Sequence, residues 1–248
     1  MRGIEAHRDG DLAAAAAAYR DVLAADPGDV DATHYLGMIA YQRGDLPRAV
    51  GMLAEAVKAR PDDSAILANL GLVLYSAGRA RGAASALEKS LRISPDQPEA
   101  LINLALARNA QDNVDAAADC YRRVMELTPG RRDARLALGQ LLVTARRYPA
   151  AREVLDAGLA LDPTDFDLQL ARAQVLELEG SLDEAIAVYE RIASESDSLR
   201  CRALTRTAAT PDIPWKDTPS RGHLDGRLTQ VGDCRNLDGY RLSLTGPS

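Results

Sequence analysis

Residues Leu36 to Pro61 read LGMIAYQRGDLPRAVGMLAEAVKARP, and their punctuation decides the fold. Leu36-Gly37 is followed by Gly44-Asp45, then by Ala49 and Ala56 seven residues apart, then by Pro61. The pattern returns every 34 residues. Prolines stand at Pro27, Pro61, Pro95, Pro129 and Pro163, and alanines at Ala15, Ala49, Ala83, Ala117, Ala151 and Ala185. A fixed period of this length marks stacked helix–turn–helix units, none of which buries its apolar face without a neighbour. The chain is therefore expected to be all-α and elongated.

Counted from Val30, Ser64, Pro98, Arg132 and Phe166, each full repeat reads as two helices. In the second repeat the first helix is expected from about Asp31 to Arg43 and the second from about Leu46 to Arg60, with apolar residues at three- and four-residue spacing. Gly44, Gly78 and Gly180 fall between the helices, where a left-handed residue closes the first one. Asp45 and Ser181 follow as N-caps, and Ser181 with Glu184 has capping-box spacing. Asp63 and Asp165 are placed to open the next helix. Small residues at the eighth position (Gly37, Gly71, Ala105, Gly139, Ala173) mark a close approach of the two helices, with the alanines at the twentieth position facing them. Leu53, Leu87, Tyr121, Leu155 and Tyr189 fill the flanking holes from the second helix.

Charge is uneven along the 248 residues. Residues 1–197 hold 22 Lys and Arg against 31 Asp and Glu, whereas 198–248 hold 8 against 5. An acidic array is a poor partner for nucleic acid, whose phosphates require a basic face, and a basic or neutral protein segment is the expected ligand. Cys120, Cys201 and Cys234 are odd in number and lack CxxC spacing, which argues against a disulfide framework or a zinc site. No secretory segment and no membrane-spanning window is present, so the cytoplasm is the expected location.

Over residues 1–197 the pattern resembles the tetratricopeptide repeat (TPR) family, with six registers and no insertion between them. The resemblance implies a right-handed α-solenoid of stacked helix–turn–helix repeats. There are departures. Thr33, Leu67, Leu101 and Arg135 replace the usual aromatic near the start of the first helix, and Arg172 stands where leucine is expected. The first repeat keeps Gly10, Ala15, Tyr19 and Pro27 but lacks most of its first helix. The array is expected to end near 197, with a capping helix over 198–210. From 211 to 248 alanine and periodicity vanish, the composition of a disordered tail.

The same resemblance implies that first helices line a concave groove in which a peptide or helical segment lies. The second, fifth, sixth, ninth and twelfth positions then supply Asp31, His34, Tyr35, Met38 and Tyr41, next Ala65, Ala68, Asn69, Leu72 and Tyr75, next Glu99, Ile102, Asn103, Leu106 and Asn109, and finally Asp133, Leu136, Ala137, Gln140 and Val143. Asn69 and Asn103, one period apart, are similar to the asparagine ladder of O-linked N-acetylglucosamine transferases, in which amides donate to and accept from a peptide backbone. His34, Tyr35, Tyr41 and Tyr75 form a candidate aromatic anchor. None of these groove positions is Lys or Arg, unlike the carboxylate clamp of chaperone-binding TPR domains.

Nothing catalytic stands out. His7, His34 and His223 lie far apart in sequence, no HExxH, GxSxG or phosphate-binding loop occurs, and no cofactor or metal is expected. The leading expectation is a non-catalytic scaffold that binds a protein segment, with no set oligomeric state. A second is the repeat region of a larger bacterial glycosyltransferase or sulfotransferase, whose arrays often open with a phrase similar to Ala6-His7-Arg8-Asp9-Gly10.

Overall fold

Short acidic or amide side chains stand one residue ahead of half of the described helices and accept the backbone N–H groups that a first turn leaves unpaired. Asp11 accepts from Ala13 and Ala14, Asp29 from Ala32, and Asp45 from Arg48. Asp63 accepts from Ala65 and Ile66, Asn113 from Ala116, and Asp165 from Leu168. In the computed structural model, which describes residues 2–195, the described chain is helical throughout and holds no strand. Pairs of helices follow one another: α1 (Arg2–Arg8) and α2 (Leu12–Ala25), α3 (Val30–Gln42) and α4 (Leu46–Ala59), α5 (Ser64–Ser76) and α6 (Ala80–Ile93). Next come α7 (Pro98–Asn109) and α8 (Val114–Leu127), α9 (Arg132–Thr144) and α10 (Tyr148–Leu159), α11 (Phe166–Glu179) and α12 (Leu182–Glu195). The expected capping helix and tail, with Cys201, Cys234 and His223, lie outside the described residues.

One left-handed residue closes each first helix, and these residues also keep the 34-residue register. Four are glycines, Gly10, Gly44, Gly78 and Gly180, with φ between 72° and 86°. The other two are Asp112 (φ 58°) and Arg146 (φ 56°). A side chain in this region costs about 1–2 kcal/mol, less for Asp, whose short polar group bonds locally. Replacing Arg146 with glycine should therefore raise stability by up to about 1 kcal/mol once the freedom glycine gains in the unfolded chain is set against it. Asp112→Gly should gain less. Thermal melts of the two variants beside wild type check the order, and a destabilised R146G would mean that the arginine side chain carries packing of its own.

The described residues fall into two compact units, one ending at Val154 and the other beginning at Leu155. In the first, each hairpin packs its second helix on the first helix of the next: α2 on α3, α4 on α5, α6 on α7 and α8 on α9. First helices also touch one another, α3 on α5 and α5 on α7. The second helices of these repeats make no comparable contact, so the layer of first helices is the tighter side of the stack. Buried alanines hold the hairpins close, among them Ala15, Ala49, Ala83 and Ala117. The eighth-position glycines face leucine, however, and not these alanines. A Cβ on Gly37 would come 3.1 Å from Cγ of Leu53, and one on Gly71 only 2.4 Å from Cγ of Leu87. Gly3 stands to Tyr19 in the same relation. A bulky residue at the twenty-fourth position thus fills the space that a missing side chain leaves.

The polar departures at the fourth position also have a physical account. Thr33 donates to the carbonyl of Asp29, the buried Arg135 to that of Pro129 at 2.8 Å, and Gln169 to that of Pro163 at 2.5 Å. Each polar side chain donates to a carbonyl of the loop before its own helix and so ties that loop to the helix start. α1, at seven residues, is about half as long as the other first helices. Val22 on α2 is 41% exposed there, although Ala56, Ser90 and Val124 at the same repeat position are buried. In the second unit α11 and α12 pack around Leu170, Ala173, Leu176, Ala185, Tyr189 and Ile192. The Tyr189 hydroxyl donates to Glu177 at 3.2 Å, and Arg172 pairs with Asp156 at 2.5 Å.

Candidate functional site

Helical periodicity places the fifth, sixth, ninth and twelfth residues of each first helix on one face, away from the buried third, seventh and tenth. Burial agrees in α3, α5 and α7. Tyr35, Met38, Tyr41, Asn69, Leu72, Tyr75 and Asn103 are all half-buried, and Asn109 and Gln140 are exposed. His34 differs, being only 9% exposed.

The structure brings several of these residues together. Asn69 donates its amide to Nε2 of His34 at 2.7 Å, across one repeat. Tyr35 stacks on His34 with centroids 5.1 Å apart and on Tyr19 of α2 at 5.2 Å, and it meets the edge of His7 at 6.2 Å. His7 in turn pairs with Gln42 at 3.2 Å, and Ser76 donates to the Tyr41 hydroxyl at 3.3 Å. Met38 and Tyr41 pack against the core between α3, α4 and α5, while Tyr75 packs against the core of α6 and α7. The anchor expected from His34, Tyr35, Tyr41 and Tyr75 is therefore divided. Tyr35 and His34 form one stacked cluster with Tyr19 and His7, and Tyr41 and Tyr75 sit further along as separate packing elements.

Of the two amides one period apart, only Asn103 makes no hydrogen bond within the described residues; Asn69 is already engaged by His34. Ile4 and His7 take the ninth and twelfth positions of the first repeat on α1 and were not among the expected groove residues. The 34-residue register was the signal that could have found them. Ile4 is 56% exposed.

Burial lowers the pKa of His34 from its ordinary value; Asp63 and Asp31 oppose the shift and Arg60 adds to it. A neutral imidazole suits its role as acceptor for Asn69. An unfolded histidine titrates near 6.5, so below that pH the unfolded chain takes up a proton that the folded one resists. Stability should then be full above about pH 7 and fall as pH drops through 6.5. In His34→Gln this component of the loss between pH 7.5 and 5.5 should disappear. Melting temperatures at the two pH values, for both proteins, provide the check. Equal losses would show that His34 does not contribute.

The acidic groups at the starts of the first helices are paired. Arg60 reaches Asp31 at 2.5 Å and Asp63 at 3.4 Å. Arg131 reaches Glu99 at 2.8 Å and Asp133 at 2.9 Å, and its hydrogen bonds hold both carboxyls below their ordinary values. Cys120 is free, and burial pushes its thiol up to about 11, far from a reactive thiolate. Among the described residues no group of three or more His, Cys, Asp or Glu could hold a metal ion, and no helix is long and apolar enough to cross a membrane.

Comparison with known proteins places this architecture. Tetratricopeptide repeat family models match residues 1–64, 36–98 and 136–199, and a second such model matches 74–141. The chain belongs to the tetratricopeptide repeat family. No curated protein matches the sequence. Among solved structures, PilW, a type IV pilus biogenesis factor, is similar with a TM-score of 0.67 at 19% identity, over 80% of this chain and 93% of that one. A TPR protein from Parabacteroides merdae gives 0.65 at 20% identity, over 83% and 84%. YrrB, described as a TPR protein with an unusual peptide-binding site, gives 0.60 at 16% identity, over 71% and 90%. At these identities the likeness is one of fold.

Proposed function

We propose that this TPR chain is a non-catalytic scaffold that binds a protein segment along the exposed face of its first helices. The observation that carries the reading is the half-buried Asn103 amide. It has no hydrogen-bond partner within the described residues and lies on a face without a charged side chain at the fifth, sixth, ninth or twelfth position of α3, α5, α7 and α9. A polar group kept partly desolvated and unpaired has most to gain from a ligand backbone. The peptide-binding site named for YrrB supports a ligand of this kind in the same fold.

The test is a pull-down with the wild-type chain, followed by calorimetric titration of the captured partner against variants. Asn103→Ala should weaken binding about two- to twelvefold, the equivalent of one lost hydrogen bond of roughly 0.5–1.5 kcal/mol. Asn69→Ala should weaken it less, because Asn69 must first give up His34. Lys58, exposed on α4, serves as the distant control. Equal dissociation constants for wild type and N103A would remove the amide from the mechanism.

A further inference from the structure

We infer that the groove takes an uncharged, extended segment in the polyproline II conformation, with an apolar side chain at every third residue. This rests on the groove reading above and adds the chemistry of the ligand. Its first support is spacing. Met38, Leu72 and Leu106 occupy the ninth position of α3, α5 and α7, of which α5 packs on α7 and touches α3. Packed helices lie about 8–10 Å apart, so the column offers one apolar side chain at about that interval. A polyproline II segment has three residues per turn and rises about 3.1 Å per residue, which returns a side chain to one face every ~9.3 Å. A strand repeats its face every ~6.6 Å and an α-helix about every 5.4 Å. Both fall out of step within one repeat.

The second support is hydrogen bonding. A polyproline II backbone makes no internal hydrogen bonds, which leaves its carbonyls and any N–H groups free for the unpaired amide of Asn103. Beside the apolar column stand Tyr41 and Tyr75, half-buried and one period apart, the kind of aromatic wall on which proline rings pack. The third support is charge. Although residues 1–197 are acidic overall, the carboxylates nearest this face, Asp31, Glu99 and Asp133, are engaged by Arg60 and Arg131. A basic ligand would meet carboxylates whose charge those arginines already balance, whereas an uncharged one needs no such partner. The expected basic-or-neutral partner thus narrows to a neutral one.

The experiment titrates the full chain with three capped peptides of equal length: (Leu-Pro-Pro)4, (Lys-Pro-Pro)4 and an uncharged alanine-based helix. The leucine peptide should bind best, with an affinity that stays the same from low to high salt. Leu72→Ser or Leu106→Ser should weaken it about tenfold; circular dichroism verifies each fold, and two separate positions guard against one variant failing to fold. Tighter, salt-sensitive binding of the lysine peptide would overturn the neutral-ligand inference and leave the groove standing. Preference for the helical peptide would overturn the conformation. Binding indifferent to both leucines would move the site and sink the groove reading itself. Silence from all three peptides at millimolar concentration would overturn the ligand class.

Discussion

Leu87→Ala is expected to lower stability by about 2–5 kcal/mol, the range for removing a fully buried leucine. Leu87 is wholly inaccessible to solvent, and it fills the space above Gly71. The reverse change tests the same contact. A methyl group on Gly71 would sit 2.4 Å from Cγ of Leu87, so Gly71→Ala forces a buried side chain aside at about 1–3 kcal/mol. That loss exceeds the roughly 1 kcal/mol alanine gains over glycine in a helix. In the Leu87→Ala background the obstruction is gone, and Gly71→Ala should become stabilising. Urea unfolding of both single variants and the double variant measures the coupling, and strictly additive losses would show that the two residues do not meet.

The second large effect belongs to the twentieth-position alanines. Ala49 and Ala117 are fully buried, and replacing either with leucine should cost about 1–3 kcal/mol by overpacking. Lys58→Ala, on the exposed side of α4, should change stability by less than about 0.5 kcal/mol. Arg60 stands at the C-terminal end of the same helix but is no neutral control. It ties Asp31 of the next-door first helix to Asp63, so its removal would leave two carboxylates without their cation. Equal melting shifts for the alanine and lysine variants would contradict the packing register.

The period made the stacking legible, because every element of it depends on residues near in sequence: a cap, a left-handed turn, a small residue one turn along. Gly44, Gly78 and Gly180 were readable as turn residues because only glycine enters the left-handed region freely. Asp112 and Arg146 were not, since their chemistry gives no such sign and only their distance from the glycines does. The face that carries Asn69, Leu72 and Asn103 follows from position alone. Its internal pairing does not. The bond from Asn69 to His34 joins neighbouring repeats and the reach of Arg60 to Asp31 ties the two helices of one hairpin, both through long or rotatable side chains, and no local pattern records them. The fate of the array's charge was hidden for the same reason: composition counts carboxylates, whereas the groove feels only those without a cation beside them. Local packing also accounts for part of the Ala6-His7-Arg8-Asp9-Gly10 phrase, with Gly10 closing α1 and His7 paired to Gln42.

Because each hairpin of the first unit touches only those beside it, cohesion there is a sum of links and not a property of one shared interior. Damage to such a structure is felt according to where it falls. In the α1–α2 hairpin, with its short first helix and exposed Val22, hydrogen exchange should be faster than in α5–α6, and a lost contact there loosens one hairpin. The same loss at Leu87 severs the stack between its two halves, each of which must then stand or melt alone. One sharp unfolding transition would become two.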